Sequence, residues 1–382
     1  MICKALFENI DLLEAKYLDV LEAACNIESP TSDKAAVDEV GAYLASLGEE
    51  LGFTVNVYPM EKAGDFIEIV MNPDAAGKPI CLSAHLDTVH PKGLFGYPAV
   101  TRDEENMYGP GVVDCKGGAV AALMAMEALR MVGFTERPVK LLLQTDEETG
   151  SSTSGLKTVR LMQKLALGAD AFLNLEGQVG NSVAIIRKGI LRRNIRVFGK
   201  ALHSSRCYEA ANAVAEAAHK IIELEKLKDI DGLTCNCGVI HGGTVANSVA
   251  AECVFSVDVR YVGEEDRALA LELIRTVAEK SYIEGTSAVV EEISERPSMP
   301  YRENNKALAD RMNEIYAECG LPVLTVRKSL SGSDAAYITE VGVPTVDSIG
   351  TEGGNIHSKD EFMRLSSLAE CAKRIASVVY LY

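Results

Sequence analysis

No apolar run in the 382-residue sequence approaches the roughly 20 residues that a membrane span needs. The opening segment carries acidic residues throughout, unlike a signal peptide, so a cytoplasmic location is expected. Basic clusters with interleaved aromatics are missing too, and 38 Lys and Arg against 55 Asp and Glu leave a formal net charge of −17. Such a surface repels phosphate backbones and anionic lipid, so neither nucleic acid nor a membrane is the expected partner; a small ligand is. The ten cysteines include no C-x-x-C pair and are scattered singly through apolar segments, as reduced core residues are. Cys235 and Cys237 share one face of an alternating strand, but two thiols without a second pair make a poor zinc site. Histidine is scarce, at six residues, so the company each one keeps matters.

The remaining composition, 47% apolar and 24% charged, is that of a soluble globular protein long enough for two or three domains. Val37, Val40, Leu44, Leu47 and Leu51 recur at helical spacing, and FTVNVYPM, DFIEIVM and PICLSA then read as strands. A small-residue helix from Gly117 to Val132 precedes PVKLLLQT, a continuous apolar strand of the kind buried in a mixed or parallel sheet. From about Gly189 the pattern changes to strand, helix (Tyr208 to Leu227), two strands, helix (Glu264 to Lys280) and strand, which describes an α+β sandwich. Alternation returns after Pro297, with Leu308 to Cys319, LTVRK, Ala335 to Glu340, PTVDSI and a closing amphipathic helix. The expected fold is therefore an α/β domain in two parts, 1–188 and 298–382, interrupted by an inserted domain at 189–297.

Chemistry-bearing residues gather at strand ends. His85 closes a strand, where ligands collect in α/β sheets, and Asp87 two residues on can orient its ring. Asp114 follows YGPGVV and opens a helix, where an acid can equally serve as a simple cap. Asp146, Glu147 and Glu148 crowd three carboxylates after a buried strand, an arrangement that calls for a compensating cation or a proton-hungry acid unless it is merely a solvated turn. Glu176 ends another apolar strand, and His357 lies in the glycine-rich loop GTEGGNIHSKDEF. His85, Asp114, Glu148, Glu176 and His357 thus fall at corresponding edges of one sheet. Mixed imidazole and carboxylate ligands suit zinc, or less often manganese or cobalt, and five of them with one bridging suit a pair of ions. Such a pair leaves an extra carboxylate free to act as base, and Glu147 is the natural candidate.

HLDTVHPKG, YGPGVVDCKGG, QTDEETGS, FGKALHS, SVDVRY, SGSDAAY and IHSKDEF, in this order along nearly the whole chain, resemble the co-catalytic zinc peptidases and deacylases. That family includes glutamate carboxypeptidase, acetylornithine deacetylase and succinyl-diaminopimelate desuccinylase, and the sequence looks most like the glutamate carboxypeptidase branch. The resemblance implies a mixed-sheet catalytic domain with two zinc ions per subunit and an inserted lid and dimerisation domain that makes a homodimer. It implies that His85 and Glu176 hold one metal, Glu148 and His357 the other, and that Asp114 bridges them. Asp87 would orient His85, Glu147 would be the general base, and a cis peptide would join Asp114 to Cys115. In the inserted domain His203 would reach the partner subunit's active site and stabilise the oxyanion there, while Asn247 and Arg260, with Arg296, would grip substrate carboxylate. Alternation along the strand agrees for the arginine: Cys253, Phe255, Val257 and Val259 form its apolar face and leave Ser256, Asp258 and Arg260 on the open one.

The implied reaction is hydrolysis of the amide bond of a C-terminal, acidic amino acid in a small peptide or N-acyl amino acid. A deacylase or dipeptidase of the same family is the alternative, and a non-catalytic metal- or peptide-binding relative the remote one. The sequence departs from the family pattern at Gly177, where relatives usually have proline, at Cys115 and at Ser204 and Ser205.

Overall fold

The computed structural model describes residues 3–382; positions 1 and 2, with which the expected first segment begins, lie outside the described residues. The chain divides into two compact units. One comprises Met1–Ile185, Tyr301–Lys328 and Tyr337–Tyr382, the other Ile186–Pro300 and Ser329–Ala336. The second unit thus takes in a short stretch, 329–336, that the sequence pattern assigns to the closing α/β segment.

The first unit is built on a mixed sheet whose strand order begins Thr54–Tyr58, Phe66–Met71, Val139–Gln144, Ile80–His85, Ala171–Asn174 and Thr345–Asp347. The last four run parallel, because each returns through a helical connection, so their C-terminal ends share one edge. In register, His85 lies opposite Gln144, and Ser83 opposite Asn174. Every residue of Phe66–Met71 and Ile80–His85 is buried, which is why these strands read as continuous apolar runs.

Helix Lys116–Met131 is buried on nearly all sides, and its run of Ala and Gly lets neighbours approach closely. It packs against helix Lys4–Asn26 and the C-terminal helix Ser366–Leu381. Lys4–Asn26 turns Leu6, Ile10, Leu13, Tyr17 and Leu21 inward at three- and four-residue spacing. Each such burial contributes roughly 1.5–3 kcal/mol. Tyr17 also donates to Glu127 Oε2 at 2.7 Å.

A small second sheet, in the order Gly353–Gly354, Phe362–Arg364, Asn106–Tyr108 and Thr101–Arg102, was invisible in the sequence because its strands are only two or three residues long.

The second unit is a four-stranded antiparallel sheet, ordered Thr234–Gly242, Glu252–Tyr261, Gly189–Phe198 and Ser287–Arg296, with helices Ala213–Leu224 and Glu264–Glu279. Strict alternation sends Leu191, Ile195, Val197, Phe255, Val257 and Val259 into its core. The expected helix from Tyr208 instead begins at Ala213, because Asn212 caps it by accepting from the N–H groups of Val214 and Ala215. Ser204–Glu209 forms a separate 3-10 turn.

Candidate metal centre

His85, Asp114, Glu147, Glu148, Glu176 and His357 all belong to the first unit. Four of them arrive from the shared edge of the sheet: His85 closes its strand, Glu147 and Glu148 follow Gln144, and Glu176 follows Asn174. Asp114 comes from the turn before helix Lys116–Met131, and the Asp114–Cys115 peptide is cis. Close packing fixes that turn against the Glu176 strand end. A Cβ on Gly118 would stand 2.3 Å from the Leu175 carbonyl oxygen, and one on Gly350 would stand 2.1 Å from the same atom. Both positions exclude any side chain.

The two oxygens of Asp114 face different histidines. Oδ1 lies 3.1 Å from His85 Nε2, and Oδ2 lies 3.3 Å from His357 Nε2. Each histidine has a further carboxylate beside it, Glu176 Oε1 at 3.9 Å from His85 and Glu148 Oε2 at 3.3 Å from His357. The arrangement is two imidazole–carboxylate pairs with one carboxylate between them. Donor atoms of His85, Asp114 and Glu148 come within 4.8 Å of one another, as do those of His85, Cys115 and Glu176.

Cys115 is a poor ligand among these: burial pushes its thiol well up, and Sγ donates to the Leu175 carbonyl at 3.2 Å. The same facts argue against a thiol nucleophile here.

Burial, reinforced by Asp114, drives Glu176 well above the carboxylate range, and burial raises Glu148 to about 7. Hydrogen bonds to Asp114 and Glu148 raise His357 to about 10. His85 is raised well above its ordinary value although burial opposes this, because Cys115, Asp114, Asp87 and Glu176 surround it. Upward shifts of acids and imidazoles alike mark a crowding of negative charge that divalent cations would offset. The donor set of imidazole nitrogens and carboxylate oxygens therefore fits a pair of metal ions.

Asp87 ties the parts together. Its carbonyl oxygen is the 2.9 Å partner of His85 Nδ1, and its carboxylate lies 3.5 Å from that nitrogen. The two carboxylate oxygens accept from the backbone N–H groups of Glu147 and Glu148, each at 3.1 Å. Thr31 Oγ1 donates to Asp87 at 2.7 Å; nothing in its surrounding sequence distinguishes Thr31 from an ordinary turn residue.

Of the three adjacent acids, Asp146 turns away and anchors its own loop, accepting from Ser154 N at 2.7 Å and Thr158 Oγ1 at 2.6 Å. Glu147 is buried, and its charge acts on both Glu148 and Glu176.

Residues 81–381 match the family described as Peptidase family M20/M25/M40. The chain is a member of this metallopeptidase family. It is 29% identical over 359 residues to carboxypeptidase G2 of Pseudomonas sp. (strain RS-16), covering 92% of this chain and 85% of that protein. It is 27% identical over 271 residues to acetylornithine deacetylase of Salmonella arizonae, covering 64% of this chain and 67% of that one. Among solved structures, a tripeptidase from Staphylococcus aureus superposes with a TM-score of 0.79 at 21% identity, over 96% of this chain and 97% of the other. The family bears out the resemblance carried by the motifs and the expected α/β fold.

The remaining predicted site residues belong to the second unit. His203 is exposed and caps its 3-10 turn, with Nδ1 accepting from Ser205 N at 3.3 Å and lying 2.9 Å from Ser205 Oγ. Asn247 is exposed, and its carbonyl accepts from Ser204 N at 2.9 Å, which brings it beside His203. Arg260 stands on the open face of its strand and donates to Asp258 Oδ1 at 2.7 Å. Arg296 is buried, 3.7 Å from Asp334.

No helix among the described residues is long and apolar enough to cross a membrane.

Proposed function

We propose that this metallopeptidase hydrolyses the amide bond that joins a C-terminal, acidic amino acid to a peptide or acyl group, in the manner of a glutamate carboxypeptidase. The observation that carries the two-metal reading is the placement of Asp114 between two imidazole–carboxylate pairs. His85 and Glu176 would hold one ion and Glu148 and His357 the other, with Asp114 shared between them, and zinc is the ion that this donor set favours. When bound, the metals acidify a water and neutralise charge that develops on the scissile carbonyl.

The protein's own groups do the rest. Glu147, left without a ligand's role, takes the proton of the attacking water and passes it to the leaving amine. Asp87 fixes the backbone that carries Glu147, so base and ligand move as one body. His203 donates to the oxyanion in the partner subunit's site, and Asn247, Arg260 and Arg296 hold the substrate's carboxylates.

Arg192 and Arg260 share the carboxylate of Asp258, at 2.9 and 2.7 Å, so Arg260 has a neighbour that a substrate carboxylate can replace. A homodimer formed through the second unit and a cytoplasmic location complete the proposal; ten free thiols accord with a reducing compartment.

The test is release of free amino acid from N-acyl-glutamates, N-acyl-aspartates, neutral N-acyl amino acids and dipeptides, with a chelator control. Chelator-sensitive release from the acidic compounds is expected. Release from neutral compounds alone would move the assignment to a deacylase or dipeptidase, the reading that the likeness to acetylornithine deacetylase favours. Silence across the panel would contradict both.

A further inference from the structure

Glu361 is 1% exposed and stands outside the proposed ligand set, yet it touches the backbone that carries its central member. One oxygen, Oε1, accepts from the N–H groups of Val113 and Asp114, both at 3.2 Å. The other, Oε2, lies 2.9 Å from Nε2 of His90, which is itself 4% exposed and packs edge-on against Phe95 with ring centroids 5.0 Å apart. A buried carboxylate is costly unless its oxygens are satisfied, and here three donors satisfy them.

The position of Glu361 in the chain gives the contact its meaning. It lies four residues beyond His357 and directly precedes strand Phe362–Arg364, which pairs with Asn106–Tyr108, the strand that leads to Asp114. Its own carbonyl accepts from Gly109 N at 3.3 Å. His90 comes from a third segment, five residues after His85. One carboxylate therefore joins the segments that bring in His85, Asp114 and His357. Of these, His357 most needs such support: it sits at φ +61° in a loop, and its side chain is 54% exposed.

We propose that Glu361, oriented by His90, is a positioning residue that locks the Asp114 peptide to the His357 loop and thereby sets the affinity for one of the two metals. This rests on the two-metal reading above. Outer partners of metal ligands are typically worth 10–100-fold in affinity.

The experiment titrates zinc, against a competing metal indicator, into the full chain stripped with a chelator. The unaltered protein should take up two ions; one ion or none would overturn the two-metal reading and this proposal with it. Glu361→Ala should weaken one binding step by roughly 10–100-fold. Glu361→Gln should recover most of that loss, because its carbonyl oxygen accepts both N–H bonds and its amide can donate to the other tautomer of His90.

A merely structural role would lower the unfolding temperature and leave both affinities unchanged. Wild-type affinities in folded Glu361→Ala would therefore overturn the proposal while leaving the two-metal reading standing. If that variant does not fold, His90→Phe decides: it keeps the ring against Phe95 but removes the donor, and a weaker binding step is expected. Unchanged affinity in His90→Phe would overturn the proposal.

Discussion

The two compact units hold their chemistry-bearing residues in opposite ways. In the first, His85, Asp87, Asp114 and Glu147 are buried at the edge of a sheet and share a continuous set of partners, so displacing one disturbs the rest. In the second, His203 and Asn247 are exposed, and Arg260 is half-buried and pairs with a neighbour on its own strand. The first arrangement suits preorganised metal chemistry, and the second suits groups that must release one partner to take another. Metal binding and substrate binding should accordingly respond to different substitutions.

The largest separation is expected at Glu147. Glu147→Gln should lower kcat by about 10²–10⁴-fold, the ordinary contribution of a general base, while metal content measured by atomic absorption stays at the wild-type value. An active Gln variant would remove Glu147 from the chemistry.

Arg260→Ala should act on the other side of the comparison. Loss of a charge-assisted contact to a substrate carboxylate is worth about 1.5–3 kcal/mol, read as a KM raised roughly 10–100-fold with kcat and metal content little changed. If KM for acidic and neutral substrates rose equally, the arginine would not be reading charge.

Gly118→Ala probes the rigidity of the first unit. The added methyl meets the Leu175 carbonyl, and forcing it in should cost about 1–3 kcal/mol in denaturant unfolding, with metal affinity falling alongside. Full stability with full metal binding would show that the turn before Asp114 has slack.

The smallest effect belongs to the second unit's buried pair. Glu216 is held below the usual carboxylate range: burial works against this, but Lys220 at 2.9 Å and the N–H groups of Tyr282 and Ile283 outweigh it. A depressed folded pKa contributes stability that is present above the unfolded value, about 4.3, and lost as pH falls through the folded one. The unfolding temperature of the wild type should therefore fall more steeply below about pH 4.3 than that of Glu216→Gln. Parallel curves would sever Glu216 from the acid response.

Much of this was legible in the sequence, for physical reasons. Fully buried strands such as Ile80–His85 announce themselves as apolar runs, and parallel strands bring their C-terminal ends to one edge, so the gathering of His85, Glu148 and Glu176 follows from pattern alone. Alternation likewise foretold the open face that bears Arg260.

What escaped depends on backbone contacts and distant packing. The grip of Asp87 on two N–H groups and of Glu361 on two more leaves no periodic trace, because the partners are main-chain atoms. The divergence of Asp146 from Glu147 and Glu148 was hidden for the same reason: identical chemistry, separated only by the turn that Ser154 and Thr158 fix. The displaced start of helix Ala213–Leu224 shows a cap overriding the expected extent, since Asn212 accepts from the N–H groups of Val214 and Ala215.

The most direct test of the central claim, that Asp114 bridges two metals, is anomalous diffraction from crystals of the zinc-loaded protein. The account predicts two peaks roughly 3.5–4 Å apart, one beside His85 and Glu176 and one beside Glu148 and His357, with an Asp114 oxygen on each. A single peak, or two that do not share Asp114, would contradict it.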